Sequence, residues 1–240
     1  MTSGLTHPFN SLVVVVPAAG AGKRMRANCP KQYLKINELS VLEHTVLRLL
    51  AHKAIIKVIV VISQEDEYFC QTSLHNNPDI LTVKGGQERV DSVLSGLKAI
   101  DEVQFSWVMV HDAARPCVSH QDIDALIASC QSNNQGGLLA YPVKDTMKRG
   151  NQSSNNRVDC TVERNDLWHA LTPQMYPVSQ LIQAIEQSKS DAANITDESS
   201  AIEHVGLPSL LVEGSSENIK ITRPEDLALA TFYLAQHNAT

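Results

Sequence analysis

Short aliphatic runs alternate along the chain with segments in which apolar residues recur every three or four positions. The runs are rich in β-branched residues, as expected of buried strands, and the intervening segments have the period of amphipathic helices. The predicted strands are 12–16, 57–63, 80–83, 107–110, 138–141 and 210–213, and the predicted helices are 41–50, 89–100, one from about 119, 178–187, 197–204 and a C-terminal helix to about 235. This alternation predicts an α/β fold with a Rossmann-like, mostly parallel sheet and helices on both faces.

Two of the predicted helices are preceded by capping patterns. Ser119 stands three residues before Asp122, and Thr222 stands three residues before Glu225. A hydroxyl and a carboxylate at this spacing can each accept a hydrogen bond from a free N–H group of the first turn. Helices are therefore expected to begin directly after Ser119 and Thr222.

One polar segment interrupts the alternation. Residues 144–164 read KDTMKRGNQSSNNRVDCTVER and have almost no aliphatic pattern before Val158. Because both flanks carry strand-like residues, we interpret residues 143–166 as a protruding β-hairpin arm on a single domain of residues 1–240. The alternative is a disordered surface loop.

Composition narrows the class of protein. The 240 residues are 43% hydrophobic but only 5% aromatic, which suits an aliphatic α/β core. The longest aliphatic run near the start is far shorter than the ~20 residues of a membrane span, and no secretory signal pattern is present. The five cysteines are scattered and form no CxxC pair, which indicates free thiols in a cytoplasmic protein.

Positive charge is concentrated near the start of the chain. Residues 13–33 read VVVVPAAGAGKRMRANCPKQY, and no acidic residue precedes Glu38. The net charge is −6, and after Lys35 only 15 Lys and Arg face all 26 Asp and Glu. Such a balance argues against nucleic acid as a partner. A glycine loop that holds the positive charge at the end of a strand predicts phosphate binding, and the alternative is a solvated basic turn.

Neither of the two common phosphate loops fits this segment. The dinucleotide fingerprint G-x-G-x-x-G fails because Met25 stands at the third glycine position. The P-loop G-x-x-x-x-G-K-[ST] fails because Pro17 replaces its first glycine and Arg24 replaces its hydroxyl residue.

A different set of motifs does match. The run PAAGAGKRM at 17–25, followed by PKQ at 30–32, resembles the opening of the sugar-nucleotide type nucleotidyltransferases. Further blocks resemble the 2-C-methyl-D-erythritol 4-phosphate cytidylyltransferase family more narrowly and occur in its order. These blocks are GG at 85–86 with Arg89, Ser92 and Val93, HDAARP at 111–116, DT at 145–146, ALTPQ at 170–174, ITDE at 195–198 and NIK at 218–220.

The resemblance implies the reaction. CTP and methylerythritol phosphate would give the CDP-alcohol and pyrophosphate, in isoprenoid precursor synthesis. A phosphate monoester is already largely ionised at neutral pH, so no general base is needed. The two substrates repel each other, and catalysis should come from positioning and charge neutralisation.

The resemblance also assigns residues to roles. Catalysis would fall to Arg24, Lys31 and Lys220. Nucleotide binding would fall to Pro17, Ala18, Ala19, Gly20, Gly22, Gly86, Ser92, Asp112 and Arg115. Substrate binding would fall to Thr146, Arg164, Thr196 and Lys220. Asp112 would bind the implied cofactor, Mg²⁺, which prefers carboxylates to imidazole, so His111 is interpreted as structural.

The resemblance further implies a homodimer, in which the arm crosses to a second subunit and Arg164 helps to bind the sugar-alcohol phosphate there. Gln87 stands where the family often has an acidic residue, and it is left out of the expected site. Two other functions stay open: a cytidylyltransferase for another polyol phosphate, such as ribitol 5-phosphate, and a nucleotide sensor without turnover.

Overall fold

The computed structural model describes residues 11–20, 29–151 and 157–237. The strands are β1 (Leu12–Pro17), β2 (Lys35–Ile36), β3 (Leu39–Ser40), β4 (Ile55–Ile62), β5 (Ile80–Lys84), β6 (Trp107–Val110), β7 (Gly137–Pro142), β8 (Met147–Asn151), β9 (Arg157–Val162), β10 (Trp168–Pro177) and β11 (Leu210–Glu213). The helices are α1 (Val41–Leu50), α2 (Arg89–Lys98), α3 (His120–Asn133), α4 (Val178–Ser190), α5 (Glu198–His204) and α6 (Pro224–His237).

A sheet of seven strands organises the described part of the chain, in the order β11-β7-β10-β6-β1-β4-β5. The neighbours β6-β1-β4-β5 are parallel, as is the pair β11-β7, which confirms the predicted mostly parallel α/β sheet. The sequence pattern did not predict β10, which runs antiparallel to both β6 and β7.

Both faces of the sheet are covered, as predicted. Val14 and Val16 of β1 pack with α1 and α3 in one apolar cluster. Val13 and Val15, which point to the opposite face, pack with α2, α4 and α5 in a second cluster. Because β1 is buried on both faces, it reads in the sequence as a continuous run of valines.

The helix starts follow local hydrogen bonding. Ser119 accepts a bond from the backbone N–H of Asp122, as predicted. The prediction for Thr222 and Glu225 is wrong. The backbone N–H groups of Thr222 and Arg223 both donate to the carboxylate of Asp226, because α6 begins at Pro224 and Asp226 occupies the third position of its first turn.

Residues 147–151 and 157–162 pair as an antiparallel hairpin, β8 with β9, and their described side chains are mostly exposed. The hairpin interpretation is therefore confirmed over the loop interpretation, and its role in dimerisation stays a prediction. None of the helices in the described ranges has both the length and the apolar character that crossing a membrane requires.

Candidate active site

A cavity of about 200 Å³ lies beyond the carboxyl ends of β1, β5 and β6. In an open parallel sheet, ligands bind at this edge, where the loops after neighbouring strands converge. The lining comes from the loops after these strands, from the start of α2 and from two more distant segments. The lining residues are Pro17, Ala18, Ala19, Gly20, Lys31, Gln32, Gly86, Gln87, Glu88, Arg89, Ser92, Asp112, Ala113, Ala114 and Lys220.

Most of the residues predicted to bind the nucleotide or to act in catalysis meet at this cavity. They are Pro17, Ala18, Ala19, Gly20, Lys31, Gly86, Ser92, Asp112 and Lys220. Gly22 and Arg24 lie outside the described residues. Arg115 is buried behind Asp112 and does not line the cavity. Gln87, which the sequence analysis left out, does line it.

The first loop is held in place by a buried amide. The side-chain nitrogen of Gln32 donates to the carbonyl oxygens of Ala18, at 2.6 Å, and Gly20, at 3.1 Å. The backbone N–H of Ala18 continues the sheet by donating to the carbonyl of Val61 at 2.7 Å. The PKQ block therefore has a structural role beside that of Lys31, because its glutamine fixes the path of the chain at the cavity wall.

Two adjacent glycines bring the loop after β5 close to the same wall. A Cβ atom on Gly85 would lie 2.6 Å from the hydroxyl of Ser92 and 2.7 Å from the Cβ of Ala19. A Cβ atom on Gly86 would lie 2.3 Å from the Cβ of Asp91. No side chain fits in either position without displacing a neighbour. Gly85 allows the close approach of α2 to the first loop, and Gly86 leaves room for Asp91 of α2.

Three cations surround one carboxylate at the floor of the cavity. Asp112 Oδ2 lies 2.8 Å from Lys220 Nζ and 3.5 Å from Arg115 Nε, and its Oδ1 lies 3.2 Å from Arg89 Nη2. Burial alone would raise the pKa of Asp112, but Arg89, Lys220 and Arg115 outweigh burial and hold the pKa well below its usual range. Asp112 is therefore ionised at any working pH.

A second buried carboxylate balances this cluster. Glu198 Oε1 lies 2.6 Å from Arg89 Nη1, and Glu198 Oε2 lies 3.2 Å from Arg89 Nη2. Burial would lower the pKa of Arg89, but Glu198 and Asp112 together raise it above its usual range. Three cations against two carboxylates leave this cluster with one net positive charge beside the cavity, which suits a polyanionic ligand.

Hydrogen bonds behind the cavity fix Asp112 and assign the tautomer of His111. The backbone N–H of Asp112 donates to Thr172 Oγ1 at 3.0 Å, so the hydroxyl proton is available to His111 Nδ1, also at 3.0 Å. His111 Nε2 then donates to the carbonyl of Arg115 at 3.0 Å. Burial lowers the pKa of His111 to about 4, so the ring is neutral at pH 7. These bonds agree with the structural interpretation of His111.

The two predicted catalytic lysines stand on segments that touch. Lys31 Nζ donates to the carbonyl of Ile221 at 2.9 Å, directly after Lys220. The backbone N–H of Ile221 donates in turn to the carbonyl of Ala114 at 2.8 Å. Residues far apart in the sequence are thereby brought to one cavity wall, as the resemblance implied.

The three remaining substrate-binding candidates lie elsewhere. Thr146 and Arg164 are exposed at the base of the hairpin, where the Arg164 guanidinium donates to the carbonyl of Lys144. Thr196 is exposed just before α5, and its backbone N–H donates to Ser200 Oγ at 3.0 Å. None of the three lines the cavity of its own chain.

The sequence analysis missed the roles of Glu198, Thr172 and Asn218, although all three lie in blocks that it singled out. Asn218 Nδ2 donates to the carbonyl of Thr172 at 2.7 Å, and the carbonyl of Asn218 accepts from Arg115 Nη1 at 2.6 Å. Their presence beside residues with assigned roles was the only signal. Within the described part of the chain, no three His, Cys, Asp or Glu side chains group as a metal site.

Comparisons with known proteins agree with one another. The family model for 2-C-methyl-D-erythritol 4-phosphate cytidylyltransferase matches residues 12–236. The enzyme of that name from Colwellia psychrerythraea is 60% identical over 92% of this chain and 94% of its own, and the one from Vibrio vulnificus is 53% identical over 97% and 98%. The crystal structure of the Francisella tularensis enzyme superposes with a TM-score of 0.79 at 36% identity, over 93% of this chain and 99% of its own.

Proposed function

The chain belongs to the 2-C-methyl-D-erythritol 4-phosphate cytidylyltransferase family, so it transfers CMP from CTP to this sugar-alcohol phosphate, and we propose that the cavity beyond β1 is where it does so. Pyrophosphate is the second product. This membership supports methylerythritol phosphate over another polyol phosphate as the acceptor. The proposal for the site rests chiefly on one observation: Lys31, Lys220, Arg89 and Asp112 line one cavity at the carboxyl edge of the sheet.

The reaction requires two anions to meet. An oxygen of the acceptor phosphate attacks the α-phosphorus of CTP, and the bond from that phosphorus to the pyrophosphate oxygen breaks. In our proposal Lys31 and Lys220 stabilise the negative charge that builds on the α-phosphate, together with Arg24. Pro17, Ala18, Ala19, Gly20 and Gly22 provide the backbone around the triphosphate, and Gly86 and Ser92 provide the wall that faces the base.

Magnesium is the proposed cofactor, with Asp112 as its protein ligand. The donor type fits, because Mg²⁺ bound with a nucleotide needs only one or two carboxylates beside phosphate oxygens and water. The metal would have to share the Asp112 carboxylate with the cations that contact it in this structure. Asp112 lines the cavity and keeps its charge at any working pH. When bound, the metal would neutralise charge on the triphosphate. Arg115, buried behind Asp112, would act on the nucleotide by holding this carboxylate.

We further propose a homodimer in which the arm, residues 143–166, reaches the neighbouring subunit. Thr146, Thr196 and Arg164 are the proposed contacts to the acceptor phosphate, and their position outside their own chain's cavity supports a contribution by the partner. We propose a cytoplasmic location as well, since all five cysteines are free thiols, as expected in a reducing compartment.

Substitution of the two lysines tests the proposed site. Lys31→Ala and Lys220→Ala should each lower kcat by about 10²–10³-fold, because each removes a cation that acts on the transition state. The binding of CTP, measured by titration calorimetry without acceptor, should weaken far less. Release of pyrophosphate, measured with a panel of polyol phosphates, gives kcat and the acceptor preference together.

Lys53→Ala is the matched control, because Lys53 is highly exposed and pairs only loosely with Asp124, at 3.8 Å. This variant should keep the parent kcat. Near-normal turnover of both Lys31→Ala and Lys220→Ala would refute the proposed site.

A further inference from the structure

We infer that Glu198 is a positioning residue for CMP transfer, which acts through Arg89 on the Asp112 carboxylate and so on Lys220. The inference rests on the proposed function, because Asp112 and Lys220 belong to the proposed site. Glu198 itself does not line the cavity. It acts through side chains that lie between it and the cavity.

The structure holds Glu198 in place from both sides. Glu198 is the first residue of α5, and the preceding Asp197 caps that helix by accepting a bond from the backbone N–H of Ser200. The fully buried side chain of Gln174 donates to Asp197 Oδ2 at 2.8 Å and accepts from the backbone N–H of Ser199 at 2.8 Å. A strand of the central sheet therefore fixes both neighbours of Glu198.

One guanidinium is shared between two buried carboxylates. Glu198 accepts hydrogen bonds from Nη1 and Nη2 of Arg89. Asp112 Oδ1 accepts from Nη2 at 3.2 Å and from Nε at 3.3 Å of the same side chain. The side chain of Glu198 is 2% exposed, whereas that of Arg89 is 32% exposed and faces the cavity. Arg89 is therefore held by a buried carboxylate on one side of its guanidinium, while the side chain lines the cavity on the other.

This arrangement determines which oxygen of Asp112 is left for Lys220. Arg89, held by Glu198, occupies Oδ1, and Lys220 Nζ lies 2.8 Å from Oδ2. Without the Glu198 carboxylate the guanidinium keeps a single anionic partner. It can then turn to face both oxygens of Asp112, since a guanidinium pairs with a carboxylate best in a two-pronged arrangement. Lys220 would lose its position over the reacting phosphate.

Stability alone gives a poor account of these buried charges. The free energy needed to remove both charges from water offsets much of the attraction within a buried ion pair. Packed apolar residues of similar volume often stabilise a fold equally well. The pair is instead placed where one of its members contacts the cavity floor. Groups behind a site that orient its charged residues commonly change activity by about 10–100-fold when they are replaced.

The test is a double-mutant cycle on two conservative variants. Glu198→Gln removes the negative charge. Arg89→Lys keeps the positive charge but removes the guanidinium group that bonds to both carboxylates. Each should lower kcat by about tenfold or more, with the Kd for CTP changed by less than about threefold. If Glu198 acts through Arg89, the double variant should be no slower than the slower single variant.

Glu43→Gln is the control for the loss of a buried carboxylate. Glu43 is also buried, but it bonds to Ser40 and Ser73 away from the cavity, so its loss should lower the melting temperature and leave kcat unchanged. Equal kcat in Glu198→Gln and the parent, or effects that multiply in the double variant, would overturn the inference. The proposed site itself is tested separately, because it would be refuted only if the Lys31→Ala and Lys220→Ala enzymes were both active.

Discussion

Asp112 stays charged in a buried position because the residues around it supply both cations and hydrogen bonds. Arg89, Lys220 and Arg115 neutralise the carboxylate from three directions. Its backbone is held as well, since its N–H donates to Thr172 Oγ1. The position of the carboxylate thus depends on a residue, Thr172, that never contacts the cavity.

Loss of the Thr172 hydroxyl should therefore be costly. Thr172→Val keeps the shape of the side chain but leaves the N–H of Asp112 and Nδ1 of His111 without a partner. Each unsatisfied buried group costs about 1–3 kcal/mol, so the free energy of unfolding should fall by about 2–6 kcal/mol. Urea denaturation measures this loss, and Thr172→Ser, which restores the hydroxyl, should recover most of it. An unchanged unfolding midpoint in Thr172→Val would contradict the hydrogen-bond assignment.

His111 makes stability depend on pH. Its pKa is lowered to about 4 in the folded protein by burial, against about 6.5 in the unfolded chain. Between these values the unfolded chain binds a proton that the folded protein does not. The contribution of His111 should thus lower the free energy of unfolding as the pH decreases, by about 2 kcal/mol between pH 7 and pH 5.

The variant His111→Gln isolates this contribution. The difference in unfolding free energy between parent and variant should shrink by that amount over the same pH range. Other titrating groups, such as His52, whose pKa burial also lowers, are present in both proteins, so their contributions cancel. A difference that stays constant with pH would mean that burial does not lower the pKa of His111 in the folded protein.

At the level of single residues, the sequence predicted the cavity but not what supports it. Family resemblance located Lys31, Asp112 and Lys220 because they stand in recognisable blocks. The bond from Arg89 to Glu198 joins residues 109 positions apart, and no local pattern indicates such a pair. Resemblance to a motif identifies the residues beside the ligand more readily than those that orient them.

At the level of elements, β10 shows where periodicity fails. Pro173 interrupts the run, and a proline inside a run argues against a strand because it cannot donate to the ladder. Pairing with β7 does break there, between Ala170 and Gln174, and resumes beyond the break. Burial of the strand in the sheet outweighs the local signal. The irregular stretch carries Thr172, whose hydroxyl supports Asp112.

The start of α6 offers a matched pair of substitutions, because the sequence pattern indicated the wrong acidic residue. Asp226→Ala should lower the free energy of unfolding by about 1–2 kcal/mol, since its carboxylate holds the backbone of Thr222 and Arg223 close to Lys220. Glu225→Ala, which loses only an exposed contact to Arg223 at 3.9 Å, should have almost no effect. Thermal unfolding compares the two, and equal losses would refute the observed cap.

At the level of the whole molecule, the hairpin arm and the cavity differ in whether their proposed roles require a second subunit. The cavity is built by the sheet edge and needs no second copy for its floor. The arm is polar and exposed, and its candidate Arg164 lies outside its own chain's cavity. In the proposed homodimer, this polar segment would complete the acceptor site of the neighbouring subunit.

Mixing of two defective variants tests that arrangement. In a hybrid of Arg164→Ala and Lys220→Ala subunits, one site has its own Lys220 and the partner's Arg164, so it is intact. With equal mixing after co-expression, half of the dimers are hybrids with one intact site, and about a quarter of the parent activity should return. Pyrophosphate release at an acceptor concentration below the parent KM measures the gain, because loss of Arg164 should mainly raise the KM for the acceptor.

The control uses residues from one cavity wall. Lys31 and Lys220 both line the cavity of the same chain, so Lys31→Ala mixed with Lys220→Ala leaves no intact site and should recover nothing. If the Arg164 mixture is equally inactive, the arm serves its own subunit or the protein works as a monomer. If it regains activity while the lysine mixture does not, the acceptor phosphate is bound by two chains and the nucleotide by one.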